Sequence, residues 1–257
     1  MSFLSSHASC PSCGGGHRGR PFCIYPNGYH CFSCGYSKNA DRSFSYQDTR
    51  PSIPEQPECE WEPTRFSLEN RQWLMKYYIE DELIRKYRIG QTAQGALLFP
   101  YIVGGIVVCY QTRLNGVTRR IQSFGAKAPA LFLGGNDTLV IVEDFLSAIR
   151  IAEHADSVCL WGTKAPFLSL QEWASQYAII LVWLDNDAAK ETNSGQIAAN
   201  KICKTLNSVL SFNNRKYGFG GRAKVIVKNI ITDNDPKEFS PSEIKQIIGA
   251  EIDYNRK

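Results

Sequence analysis

Four apolar runs in the second half of the chain constrain its fold more than any other feature. Residues 138–142, 157–161, 178–184 and 224–231 are short and rich in Val, Ile and Leu. A stretch of helical composition follows each of the first three: one from 143 to about 154, one near 169–176, and one from about 194 to 206. A basic, Gly-rich loop over 213–222 precedes the fourth run, and Ser240-Pro-Ser-Glu243 makes a capping box for a last helix through Ile248. Strands that are apolar throughout, alternating with helices, predict a parallel sheet buried on both faces.

Open sheets of this kind bind ligands beyond the carboxyl ends of their strands. Glu143 stands at the end of the first run, Asp185 and Asp187 at the end of the third, and Asp235 just after the fourth. In extended chain, residues two apart point the same way, so both aspartates of Asp185-Asn186-Asp187 are expected to face one site. Any one of these acids could be a helix cap or a loop residue. Four at the ends of three strands are expected to gather and to need cations. Magnesium or manganese would relieve the repulsion, activate a 3′ hydroxyl and neutralise a leaving pyrophosphate. Just upstream, Arg113, Arg119, Arg120 and Lys127 lie in a stretch without acid between Gln111 and Ala128. They are expected to hold nucleotide or template phosphates, with solvated hairpin surface as the plainer alternative. The Gly162-Thr163 turn could bring a backbone amide or Lys164 to the same rim.

The first forty residues carry a different chemistry. Cys10-Pro-Ser-Cys13 and Cys31-Phe-Ser-Cys34 are two CxxC couplets. Four thiolates in two tight turns are the composition of a closed, structural zinc site. His7, His17, His30 and Cys23 are spare candidates. Arg18, Arg20, Tyr25, Tyr29, Phe32 and Tyr36 could touch phosphates and stack on bases, or form the ribbon's small core. With nine cysteines in all, an odd count containing two couplets suits a reduced, cytoplasmic protein better than a disulfide-stapled one. Cys23, Cys59, Cys109, Cys159 and Cys203 are expected to be small buried hydrophobes. No stretch reaches the roughly 18 apolar residues of a membrane span, and the N-terminus does not read as a signal peptide.

Between these parts, residues 41–62 hold Pro51, Pro54, Pro57 and four glutamates and read as a flexible linker. Residues 68–88 have helical composition. Runs at 96–102, 106–114 and 118–124 read as strands joined at Gly104-Gly105 and Asn115-Gly116. Residues 63–128 hold ten Lys/Arg and four Asp/Glu, net +6, whereas 129–203 hold four and nine, net −5. A basic surface beside an acid-rich one is expected where one follows a phosphate backbone and the other gathers cations.

Together these residues resemble the zinc-ribbon, DnaG-type primases of bacteria and their phages, with the primase half of the phage T7 primase-helicase as the nearest likeness. Tyr29-His-Cys-Phe-Ser-Cys-Gly35 is similar to the second zinc knuckle. Leu97 to Arg113 is similar to the N-terminal part of the polymerase core. Val142-Glu143 with Ser147-Ala148, and Leu184-Asp-Asn-Asp-Ala188, are similar to the two motifs of the TOPRIM fold, and Asp235-Pro-Lys to the third acidic motif. The resemblance implies an α/β protein in four parts: a zinc ribbon (1–40), a linker (41–62), an α+β subdomain (63–137) and a TOPRIM subdomain (138–257). It implies a nucleotidyltransferase that makes short RNA primers on single-stranded DNA from nucleoside triphosphates. Zinc would be structural, magnesium or manganese catalytic, and Cys10, Cys13, Cys31 and Cys34 the zinc ligands. Asp185, Asp187 and Asp235 would bind the divalent metal, with Glu143 as ligand or general base. No Walker A sequence occurs, so a separate helicase would be the partner. The setting would be the bacterial cytoplasm, or that of an infected host. Two positions depart from the family pattern: Asp144 follows the glutamate where Gly is usual, and Lys190 follows Ala188-Ala189 where Gly is usual. The alternative is a zinc-ribbon/TOPRIM protein that binds single-stranded DNA, or mediates recombination, without catalysis.

Overall fold

The computed structural model describes residues 57–115, 120–125, 128–135, 137–186, 192–217 and 225–256, with the backbone of four short strands before them. The chain divides into two compact units, Met1–Arg50 and Pro51–Lys257. In the first, β1 (Ser5–Ala8), β2 (Phe22–Tyr25), β3 (Gly28–Cys31) and β4 (Ser37–Asn39) pair in chain order as an antiparallel sheet. Cys10, Cys13 and Cys34 lie outside the described residues, as does the side chain of Cys31.

The second unit opens with an antiparallel sheet in chain order: β5 (Cys59–Glu60), β6 (Gly90–Thr92), β7 (Leu97–Val103), β8 (Ile106–Leu114) and β9 (Arg120–Gly125). The turn between β7 and β8 is the expected Gly104-Gly105, both at positive φ (57° and 82°), where any side chain would be strained. β5 corrects the linker reading of 41–62. Cys59 pairs with Thr92 and Glu60 with Gln91, so this end of the glutamate-rich stretch is a sheet edge.

Two helices lie between β5 and β6, α1 (Leu68–Lys76) and α2 (Asp81–Lys86), where sequence composition shows one helical stretch. Both stop in the same way. Ile79 N–H donates to Leu74 O (3.1 Å) and Tyr78 N–H to Met75 O (2.9 Å); Ile89 N–H donates to Ile84 O (2.9 Å) and Arg88 N–H to Arg85 O (3.2 Å). This is the Schellman stop, with Tyr78 (φ 58°) and Arg88 (φ 50°) in the left-handed position that glycine usually takes. The residues that follow, Ile79 and Ile89, are fully buried, and their burial offsets the left-handed cost of about 1 kcal/mol each.

The second sheet runs β10 (Ala130–Phe132), β12 (Asp156–Cys159), β11 (Thr138–Val142), β13 (Ile179–Val182), β14 (Ile226–Asn229). β11, β12, β13 and β14 are parallel, as expected; β10, which sequence composition does not mark, pairs antiparallel to β12. α3 (Phe145–Ile151), α4 (Phe167–Gln176), α5 (Ser194–Tyr217) and α6 (Pro241–Arg256) connect and follow the strands. α5 continues through Tyr217 and so takes in the first part of the segment read as loop. Every residue of β11 is buried. Val140 and Val142 face a core shared with Leu74, Phe99, Phe145 and Ile244, while Leu139 and Ile141 face one shared with Trp173, Ala199 and Leu206. The sheet is thus covered on both faces, α4 and α5 on one, α3, α6 and the N-terminal helices on the other. No helix among the described residues is long and apolar enough to cross a membrane.

Candidate active site

The parallel strands lie in the order β12-β11-β13-β14. Chain order therefore reverses between β11 and β13, which opens a crevice at their carboxyl ends. Glu143 follows β11 and Asp185 follows β13, one on each side of it. Gly195, at the start of α5, closes its floor: a methyl there would lie 2.1 Å from the Asp185 carbonyl oxygen and 2.9 Å from Glu143 Oε1. Only a residue without Cβ lets α5 approach so closely.

A polar brace holds the Asp185 loop. Gln196, buried in α5, donates to Leu184 O (3.2 Å) and accepts from Asn229 Nδ2 (2.9 Å). Asn186 donates to Thr232 O (3.0 Å) and accepts from Asn193 Nδ2 (2.7 Å), and Trp183 Nε1 donates to Thr232 Oγ1 (2.8 Å). The loop after β13 is thereby pinned to α5 on one side and to the loop after β14 on the other.

Asp235 and its neighbours form the far wall. Pro236–Glu238 is a 3-10 turn that aims Lys237 inward. Its Nζ lies 2.6 Å from Asp235 Oδ2 and 3.1 Å from Asp144 Oδ2, and 5.9 Å from the Tyr77 ring centroid. Asp144 also caps α3, accepting from Ser147 N–H (3.1 Å) and Ser147 Oγ–H (2.8 Å). The departure from glycine at 144 thus becomes a cap and one arm of an ion pair. Burial alone would pull the Lys237 ammonium down, but Asp144 and Asp235, with Asp185 behind them, push it above the ordinary lysine range. Burial raises the Asp144 carboxyl, and Lys237 and Ser147 outweigh it, leaving the group below the usual aspartate value. Asp185 Oδ1 has no hydrogen-bond partner among the described residues. Burial pushes its carboxyl up to about 8, against Lys237 and with help from Asp144, Asp235 and Glu143.

Asp144, Phe145, Asp185, Asp235 and Lys237 line a cleft of about 500 Å³ with Glu143, Arg113, Trp73, Tyr77 and Trp161. Arg113, from β8, stacks its guanidinium 4.2 Å from the Trp73 ring centroid and donates Nε–H to Asn115 Oδ1 (3.0 Å). Phe145 stacks on Trp161 (5.9 Å between centroids), whose φ of 55° turns the chain sharply at the end of β12. The cleft therefore has a carboxylate floor, an ammonium wall and an aromatic roof bearing one guanidinium.

Of the expected site residues, Glu143, Asp185, Asp235 and Arg113 come together here. Asp187, Arg119 and Lys127 lie outside the described residues, as does the side chain of Arg120, which opens β9. Lys164 is exposed after β12 and does not line the cleft. Sequence reasoning assigned no role here to Trp73, Tyr77, Phe145 or Gln196. The Asp144-Phe-Leu-Ser147 spacing does carry the signature of an N-cap. Among the described residues no three of His, Cys, Asp and Glu lie close enough to hold a metal ion. Glu143 and Asp185 remain as a hard-oxygen pair suited to magnesium or manganese. Asp185 Oδ1 is fully buried without a hydrogen-bond partner among the described residues, as an atom reserved for a cation would be. Asp235 does not join that pair, because Lys237 holds it. Burial pushes the thiols of Cys59, Cys109 and Cys203 up to about 11; Cys109 and Cys159 are buried free cysteines, as expected, whereas Cys59 and Cys203 are only partly buried and the side chain of Cys23 lies outside the described residues.

No protein-family model matches the sequence, and no curated protein does. The fold has solved counterparts. The zinc-binding and RNA polymerase domains of the Aquifex aeolicus primase align with a TM-score of 0.52 at 12% identity, over 95% of this chain and 78% of that one. The DnaG catalytic core aligns with a TM-score of 0.54 at 15% identity, over 74% of each chain. The chain shares the fold of DnaG-type primase domains.

Proposed function

We propose that the protein is a DNA primase of the DnaG type, akin to the phage branch, which makes short RNA primers on single-stranded DNA from nucleoside triphosphates. The observation that carries this reading is the meeting of Glu143 and Asp185, whose Oδ1 has no hydrogen-bond partner among the described residues, at the sheet's switch point in a cleft shared with Arg113, in a primase-like fold. In this reading Glu143 and Asp185, with Asp187, hold the divalent cation. When held there, a divalent cation would supply Lewis acidity toward the primer's 3′ hydroxyl and positive charge toward the leaving pyrophosphate. Arg113, its plane fixed on Trp73, offers its charge to a triphosphate or template phosphate. The aromatic roof limits water above the floor and strengthens these charge interactions. Cys10, Cys13, Cys31 and Cys34 hold zinc in a ribbon that reads the template, and a separate helicase delivers the protein to its DNA.

One observation favours the alternative, a single-stranded DNA binder without catalysis: Lys237 already holds the third acidic motif. Incubation with single-stranded DNA, labelled nucleoside triphosphates and magnesium or manganese separates the two. Short RNA products that vanish in Asp185→Ala/Asp187→Ala are expected. Undiminished DNA binding by both proteins with no products, even beside a cognate helicase, would leave the binder.

A further inference from the structure

Lys237 sits where a cation is called for. Two carboxylates converge on its Nζ at 2.6 and 3.1 Å, the Tyr77 ring covers it at 5.9 Å, and the side chain is only 12% exposed. It follows Asp235 by two residues through the buried Pro236, whose fixed φ sets the 3-10 turn. Five acidic residues, Glu143, Asp144, Asp185, Asp235 and Glu238, thus line one cleft with the Lys237 ammonium and the Arg113 guanidinium. The ammonium serves the Asp144/Asp235 end, and the Glu143/Asp185 end holds the orphaned oxygen.

We propose that Lys237 is a built-in monovalent cation that takes the place of a divalent ion at the Asp144/Asp235 end, so that this cleft recruits metal only at its Glu143/Asp185 end. The inference rests on the reading of the carboxylates as a cation site and adds a division of labour to it. An ammonium tethered by the chain needs no free ion, and its donors match carboxylate oxygens. A divalent ion at this end would have to displace it from both aspartates.

The test counts ions without DNA or nucleotide. Zinc-replete, full-length protein is titrated with Mn²⁺, and free Mn²⁺ is followed by electron paramagnetic resonance. Lys237→Met is expected to bind one Mn²⁺ more per chain than the unsubstituted protein. Lys237→Arg should match the unsubstituted protein, and adding Asp144→Asn to Lys237→Met should abolish the gain. A folded Lys237→Met protein, judged by circular dichroism, that gains no ion overturns the proposal. Should Lys237→Met not fold, Asp235→Asn in the otherwise unsubstituted chain decides: an unchanged ion count supports the proposal, and the loss of an ion overturns it. Primer synthesis is scored apart from this count. A gained ion without primers would sink the primase reading and leave the resident cation standing; primers without a gained ion would do the reverse.

Discussion

Asp185 bears a conflict that its own fold does not resolve. Burial and three neighbouring carboxylates hold its proton on to about pH 8, whereas the unfolded chain releases it near 3.8. The folded state therefore binds more protons than the unfolded state across that window, and the metal-free protein loses stability as pH rises through it. Asp185→Asn removes the penalty. It is expected to stabilise the metal-free protein at pH 8 by about 1–3 kcal/mol, roughly 2–4 °C in melting temperature per kcal/mol, with the gain fading below pH 4. Magnesium should stabilise only the unsubstituted protein, and melts at pH 4 and 8 with and without the ion would show both effects. Gly195→Ala is expected to do harm of another kind: its methyl must displace the Asp185 carbonyl or α5, so primer synthesis should fall by a hundredfold or more while the chain still melts cooperatively. Full activity in that variant would remove Gly195 from the floor of the cleft. Glu143 and Asp185 are legible in the sequence because each ends an apolar run. Lys237 is not, because its direction depends on the turn that Pro236 sets, and a lysine beside an aspartate has no direction until that turn forms.

Helix ends show where composition stops informing. α1 and α2 read as one helix because neither stop contains glycine, the residue that usually announces one. Tyr78 and Arg88 take its place, and the signal moves to the isoleucine one step later. Ile89→Ala should cost about 2–5 kcal/mol in urea unfolding, more than any surface change in α2, because this side chain secures the stop. A cost below 1 kcal/mol would mean that hydrogen bonds alone end the helix. β5, β6 and β10 are missed for a different reason. With two or three residues each, they are too short for alternation to register, and they exist because neighbouring strands offer open edges. The two central parallel strands, β11 and β13, suffer neither problem, since burial on both faces writes them as nearly unbroken apolar runs.

At the scale of the molecule, the second unit contains its own core and the whole cleft, so residues 51–257 alone are expected to fold and melt in a single transition followed by circular dichroism. In the primase reading this fragment keeps Mn²⁺ binding and loses the dependence of primer synthesis on template sequence; a fragment without ordered secondary structure would show that the core needs the first unit. That antiparallel pairing gives way to parallel strands is legible from strand rhythm, while the packing of α1 and α2 over the face that also carries α3 and α6 is a property of the assembled core. The sheet also sets an order of completion. β11 is flanked by β12 and β13, and β14 adds only to β13, so the sheet is complete only when its last strand has been made. A nascent polypeptide paused after α5 already carries Glu143, Asp144 and Asp185 but has not yet made the lysine that balances them. In that half-built cleft Asp144 stands without its ion-pair partner until Lys237 is synthesised.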